Sequence, residues 1–425
     1  MTRKFLFRPV TLALMMGASL AATQANAAGF QLTEQSAAGL GRSYAGIGVD
    51  GTDISGAYYN PATMTLHSGT NVQGGVIGVG LNLEYSGDNG ESENGRSSET
   101  PIPHMYLTHQ INDQIFAGLA ITVPFGMATS YGENWGLSHR GYYSEIMVID
   151  INPSLAWKIN DQFSIGAGIS YQYVDAQLKT KKSAVHPQFG PLGDLDANFE
   201  ADSGEWGWNI GMMWSPAENL RFGLSYRSEV EHTAKGTLTV SPTTQPATIQ
   251  AALAQAGATG KFDGQAIVAG PAWAMLTAAW DINQQWSVYG TLRWTDWSSF
   301  DRLSITVGGQ EKSAIENKWR DTYFGSLGVD YRLNPQWTLR AGIGLETSPI
   351  RYADTRTGII PDAKRLWLSF GASYHFNDRL TIDMGATHLR GIGERDLYSN
   401  VDGTKVGSYD SLDAYLFGAQ LQYRF

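Results

Sequence analysis

The sequence predicts an all-β chain: a fourteen-stranded antiparallel transmembrane β-barrel plugged by a small N-terminal hatch. Three observations carry that expectation. Long stretches alternate apolar and polar residues with a period of two. One turn-like phrase recurs between them. The last strand alternates to an aromatic terminus.

Phe163, Ile165, Ala167, Ile169, Tyr171 and Tyr173 alternate with Ser164, Gly166, Gly168, Ser170 and Gln172. Stretches from Trp286 and from Trp337 do the same. A strand with one apolar and one polar face repeats every two residues. These runs reach roughly ten residues, the length of a tilted strand crossing a bilayer, with aromatic residues at their ends as an interfacial girdle requires. The alternative is a soluble β-sandwich or β-helix, whose strands are usually nearer five or six residues.

The phrase is Ile111-Asn112-Asp113-Gln114, then Ile159-Asn160-Asp161-Gln162, with variants at 282–286, 333–337 and 376–380. It reads as the tight turns on one rim. With the atypical Pro216-Ala217-Glu218-Asn219, six turns are legible, which implies seven hairpins and fourteen strands. Long polar segments between the turns, Ser86 to Thr100 and Lys182 to Ser203, read as outer loops. Short turns on one rim and long loops on the other is the outer-membrane pattern. Pro246 to Gly260 reads as a short helix or irregular cap. Tyr415, Phe417, Ala419, Leu421, Tyr423 and Phe425 form the last alternating strand, and Tyr423 and Phe425 are its candidate membrane-insertion signal.

Residues 1–27 read as a signal peptide: a basic head (Arg3, Lys4, Arg8), an apolar run from Val10 to Ala22, and Ala25-Asn26-Ala27 as the cleavage site. A retained anchor is the alternative. Cleavage removes those three cations and takes the net charge from −10 to −13. An acidic chain argues against nucleic acid as a partner. With no Cys, an exported chain owes nothing to disulfides. Residues 28–69 do not alternate and are rich in Gly, Ala and Ser. Gln35 to Gly46 reads as a small-residue helix and Asn60-Pro61-Ala62 as a turn or cap. Tyr44, Tyr58 and Tyr59 argue against a disordered tail. The segment is long enough to plug a lumen, leaving 70–425 for the barrel.

The ordered set Ala28-Gly29-Phe30-Gln31-Leu32, Gly39-Leu40-Gly41-Arg42, Asp50 with Asp53, and Asn60-Pro61-Ala62 resembles the hatch of the OmpP1/FadL/TodX family of FadL-type long-chain fatty acid transporters. The resemblance continues through Tyr226-Arg227-Ser228-Glu229-Val230, Trp297-Ser298-Ser299-Phe300, Asp321-Thr322-Tyr323, Ser348-Pro349-Ile350 and Trp367-Leu368-Ser369. It implies a fourteen-stranded, hatched barrel that takes up long-chain fatty acids across the outer membrane of a Gram-negative bacterium. Within the family, hydrocarbon carriers are the alternative. The resemblance implies Phe30 and Leu178 as lining of an apolar pocket and Arg320 as a partner for the carboxylate. Thr180 stands where a basic residue is expected, with Lys179 and Lys181 on the opposite face. It also implies an inward kink of the third strand beside Asn60-Pro61-Ala62, and Pro124-Phe125-Gly126 would build that lateral opening, since Pro cannot donate to a ladder and Gly marks a bend. A strand ending at Thr122 is the plainer possibility. Lipopolysaccharide, outer-membrane lipid and the barrel assembly machinery are the implied partners, and a laterally opening barrel works as a monomer.

No His lies in a nucleophile motif, so an outer-membrane enzyme is disfavoured. A hatch argues against a general porin. Neither cofactor nor metal is expected, since the glycines follow no phosphate-binding spacing.

Overall fold

The computed structural model describes residues 29–95, 101–133, 135–186, 190–358, 360–399 and 403–425. The expected signal peptide, 1–27, lies outside them. Fourteen wall strands form one closed antiparallel sheet. In chain order they are β1 (Thr70–Gly87), β2 (Ile102–Gln110), β3 (Ile115–Ser130), β4 (Tyr143–Lys158), β5 (Phe163–His186) and β6 (Gly190–Ala217). β7 runs over Leu220–Arg227 and Val230–Pro242, and β8 over Gly260–Gly270 and Trp273–Asp281. β9 (Trp286–Thr295), β10 (Thr322–Arg332), β11 (Trp337–Glu346), β12 (Lys364–His375), β13 (Leu380–Ile392) and β14 (Lys405–Arg424) complete the wall. β1 closes on β14 from Asn71–Arg424 to Gly87–Gly407.

The recurring phrase has one geometry. The side-chain oxygen of Asn112 accepts the backbone N–H groups of Gln114 and Ile115 at 2.9 Å. Asn160, Asn283, Asn334 and Asn377 repeat the pair of bonds. In each turn the Asn side chain replaces a backbone acceptor, and the first residue donates its N–H across to the fifth. The atypical turn closes between Ala217 and Leu220 instead.

The wall turns its apolar face outward. Trp206, Trp208, Ile210, Met212 and Trp214 of β6 are all exposed, as are Leu292, Leu327, Phe370 and Phe417 on other strands. A face of that size belongs in hydrocarbon, where only closed barrels and helices satisfy every backbone group. Aromatic pairs such as Trp286–Tyr331 and Trp337–Tyr374 mark the tight-turn rim.

Two expectations need correction. Lys182 to Ser203 is not a loop. β5 and β6 stay paired out to His186–Gly190, making a hairpin that rises beyond the neighbouring strands. The helix expected over Gln35 to Gly46 is one turn, α1 (Ala37–Leu40). Left-handed backbone at Ser43 (φ 51°), Tyr44 (φ 57°) and Gly46 (φ 73°) coils the chain away from it. The outer cap does contain a helix, Ala247–Gln255.

Residues 29–64 are buried inside the barrel, apart from the half-buried Gly51 and Thr52. Arg42 pairs with Asp50 of the plug and with Asp330 of β10 (3.0 Å), and Arg340 joins Asp330 to Asp383 at 3.3 Å each. Gly342, Gly371 and Gly385 of β11, β12 and β13 leave the wall bare where Ala37 to Arg42 lie against it.

Candidate functional site

The inward faces of β5 to β8 carry small and apolar residues above the plug. Val174, Leu178, Phe199, Ala234 and Val268 form an apolar chamber with Phe300 and Ile360. Phe30 belongs to the same cluster. Its ring is enclosed by Trp297 (4.9 Å between centroids), Phe300 (5.3 Å), Phe125 (5.9 Å) and Trp319 (6.4 Å). Edge-on rings at such distances add to the burial energy. Phe30 and Leu178, singled out from sequence, are thus brought together. The open space beside Leu178, Phe199 and Phe300 is about 40 Å³.

Pro124-Phe125-Gly126 stands at a break in the wall. β2 and β3 pair only from Gln110–Phe116 to Met105–Ile121. Beyond that rung, among the wall strands, β2 pairs with β1 and β3 with β4. On the β4 side Thr122 faces Asp150 and Phe125 faces Val148, so Val123 and Pro124 oppose the single residue Ile149. An extra residue of this kind bends a strand. The bend turns β3 inward: a Cβ on Gly270 of β8 would meet the Phe125 ring at 2.9 Å. The plug takes the place of the missing strand. Leu32 N–H donates to the Pro124 carbonyl (2.8 Å) and Gly126 N–H to the Phe30 carbonyl (2.9 Å). Gln35 bonds both backbone groups of Val123.

Asn60-Pro61-Ala62 is elsewhere. The Asn60 side chain caps the following 3₁₀ turn at Ala62 and donates to Gly48 and to Met212 of β6. A Cβ on Gly166 of β5 would come 2.7 Å from Ala62 N. The structure seats this turn on β5 and β6, and puts Phe30 to Leu32, not the turn, against the β3 bulge. Sequence reasoning missed that contact; the isolated bridge Gln31–Phe125 has no sequence signal.

Arg320 is exposed at the outer end of β10, and its Nε donates to the Ser348 carbonyl at 3.1 Å. It adjoins the cage through Trp319 but does not enter it. Thr180 is half-buried and donates to the His139 carbonyl at 3.0 Å. Two buried cations beside the plug's first residues went unnoticed in the sequence. Arg293 bonds Thr33 (2.9 Å) and Glu346 (3.0 Å), and Arg365 pairs with Asp362. Tyr423 and Phe425 sit ring to ring (4.9 Å) at the tight-turn rim, where Phe425 N–H bonds the Thr70 carbonyl. Among the described residues no cluster could hold a metal ion.

A closed barrel with an apolar exterior, a plugged lumen and an apolar chamber above the plug defines an outer-membrane channel for hydrophobic compounds. The chain belongs to the family of outer membrane protein transport proteins (OMPP1/FadL/TodX), whose pattern it matches over residues 18–425. It is 29% identical, over the full length of both chains, to a long-chain fatty acid transport protein of Escherichia coli. Outer membrane protein P1 of Haemophilus influenzae is 28% identical, with 96% of this chain and 97% of that one covered. The crystal structure of a Pseudomonas aeruginosa FadL homologue superimposes with a TM-score of 0.85 at 25% identity, covering 94% of this chain and 100% of that one. The Pseudomonas putida toluene transporter TodX shares the fold with a TM-score of 0.72 at 17% identity, covering 94% and 100%. The protein is therefore a multi-pass barrel of the Gram-negative outer membrane that transports a hydrophobic substrate.

Proposed function

We propose that the substrate is a long-chain fatty acid, taken up by passive diffusion and released sideways into the bilayer. The observation that carries this reading is the aromatic cage around Phe30, set against a wall that β2 has abandoned. The acyl tail enters the chamber past Leu178, each buried methylene contributing about 0.8 kcal/mol. The carboxylate stays at the outer mouth with Arg320, a cation suited to bidentate pairing. Tail entry displaces Phe30. Because Phe30 to Leu32 also fill the opening at Pro124-Phe125-Gly126, the same movement uncovers the exit. Asn60-Pro61-Ala62 holds the rest of the plug still against β5 and β6. No energy source is needed, since removal downstream drives the flow. Lipopolysaccharide and outer-membrane lipid surround the wall, the assembly machinery reads Tyr423 and Phe425, and one barrel is a complete unit.

Equilibrium binding of a long-chain acid to the refolded barrel tests this, with the matching alkane and toluene as competitors and Arg320→Ala as the variant. A tighter acid whose margin shrinks in the variant supports it. Equal binding of acid and alkane, unmoved by the variant, overturns the carboxylate role. The second reading, a hydrocarbon channel, is favoured by one observation: the cage itself is lined by rings, and Arg320 lies outside it.

A further inference from the structure

The break between β2 and β3 has an outer surface as well as an inner one. Immediately beside it, the membrane face of β1, β2, β3 and β14 carries an apolar trough of about 390 Å³. The ladder explains its shape. Ile121 of β3, Met105 of β2, Gly74 of β1 and Leu421 of β14 are neighbours across four strands. The next outward row toward the tight turns is Leu119, Leu107 and Val72. Gly74 thus leaves a gap in the middle of the first row. A Cβ placed on it would meet one atom within 4 Å, Met105 Cγ at 4.0 Å. Met105, Leu107 and Leu421 are exposed, so the trough faces lipid.

Met105–Ile121 is also the last rung before β2 leaves β3. The upper edge of the trough is therefore the sill of the opening. From there the trough descends to the tight-turn rim, where Thr70 and His109, bonded to each other at 2.8 Å, give it a polar end. The short turns of an outer-membrane barrel face the periplasm, so the trough crosses the inner half of the wall.

We propose that this trough receives the acyl chain as it crosses the sill and lays it along the wall toward the inner leaflet. The inference rests on the sideways release proposed above. Continuity fixes the occupant, because the two residues that end the ladder also line the trough. Its lining is apolar, and so is an acyl tail. Lipid tails are as apolar as the wall, so no hydrophobic gain holds a chain there. Close packing over Gly74 is the only attraction, and the trough guides without retaining.

The test uses two probes with the same diazirine at the end of an acyl chain. A free long-chain acid is added outside cells that carry the protein. A phosphatidylethanolamine is built into bilayers with the refolded barrel. Crosslinked peptides are located by mass spectrometry. The acid should mark Met105, Leu107 and Ile121 at least about threefold more than Leu292 and Leu327, exposed on β9 and β10, the order that packing inside a membrane is worth. The phospholipid should not discriminate. Gly74→Phe fills the trough from outside. Gly290→Phe is the control, an outward glycine of β9 whose added Cβ would meet nothing closer than 3.7 Å. Gly74→Phe should lower both the acid's mark and its uptake by about that same threefold, with equilibrium affinity for the acid unchanged. Gly290→Phe should alter neither. A phospholipid that prefers the trough as strongly as the acid does overturns the proposal, since the trough is then an ordinary lipid seat. So does a Gly74→Phe barrel with wild-type marking and uptake. Marks confined to the edges of the opening, Pro103 and Val123, overturn the proposal and leave sideways release standing. Marks at neither the edges nor the trough overturn both.

Discussion

The plug has two ends held by different means. From Ser36 to Ala62 it is fixed by interior ion pairs and by backbone pressed into bare glycine on five strands. Arg42 is fully buried between Asp50 and Asp330, and Arg227 bonds the Tyr58 carbonyl at 3.0 Å. From Gly29 to Gln35 it is held as an added strand, by backbone bonds to a bulge, by one ring in a cage of four and by single hydrogen bonds to Asp362 and Arg293, with no ion pair of its own among the described residues. Buried ion pairs and closely pressed backbones do not let go by degrees. A short run of strand bonds and a ring in an apolar cage can be exchanged for a ligand of like chemistry. On the proposed reading, the contrast separates an anchor from a movable cover.

Arg42→Met should break the anchor. It leaves Asp50 buried without its cation and Asp330 with Arg340 alone, a loss of about 3–5 kcal/mol, seen as a lower urea midpoint and as ion conductance in planar bilayers. An unchanged midpoint with a closed lumen would remove the anchor from the comparison. Gly342→Val attacks the same end sterically. Its Cβ would overlap the Arg42 backbone, and overpacking of this kind costs about 1–3 kcal/mol. Phe30→Ala addresses the cover. Thermal unfolding of the barrel should stay within a few degrees of wild type, while affinity for a long-chain ligand changes by about tenfold or more, since a buried phenyl is worth about 1.5–3 kcal/mol. A large loss of barrel stability instead would make both ends anchors. Asn160→Ala lies outside both. It removes the acceptor for Gln162 and Phe163 N–H groups, with an expected loss of about 1 kcal/mol and unaltered ligand binding.

The wall was legible because its signals are local. An Asn that caps its own turn and a side chain that alternates every two residues are both visible within a few positions. The β5–β6 hairpin was misread for the complementary reason. Its apolar face is confined to one strand: Leu195, Ala197, Phe199 and Ala201 are buried and alternate with Asp196, Asn198, Glu200 and Asp202, while the facing stretch Lys179 to Ser183 is polar, and the ladder runs outward from Tyr173–Gly204 to His186–Gly190 with one register shift between Ala184 and Val185. Phe30 and Pro124 could be placed through resemblance, yet their meeting could not, because a backbone bridge leaves no mark on side-chain pattern. Arg293 and Arg365 carry no local signal, because their contacts are distant: Arg293 bonds Thr33, 260 residues away, and Arg365 pairs with Asp362, which holds Gly29 across 333 residues.

The closing seam also fixes an order of construction. The plug leads directly into β1, and β1 completes its ladder only with β14, which begins at Lys405. Gln420, on that last strand, holds the Ala37 N–H at 2.7 Å and donates to Asp53 at 2.8 Å. No seam can therefore form before β14 meets β1, and until then the plug has only an open sheet to lie against.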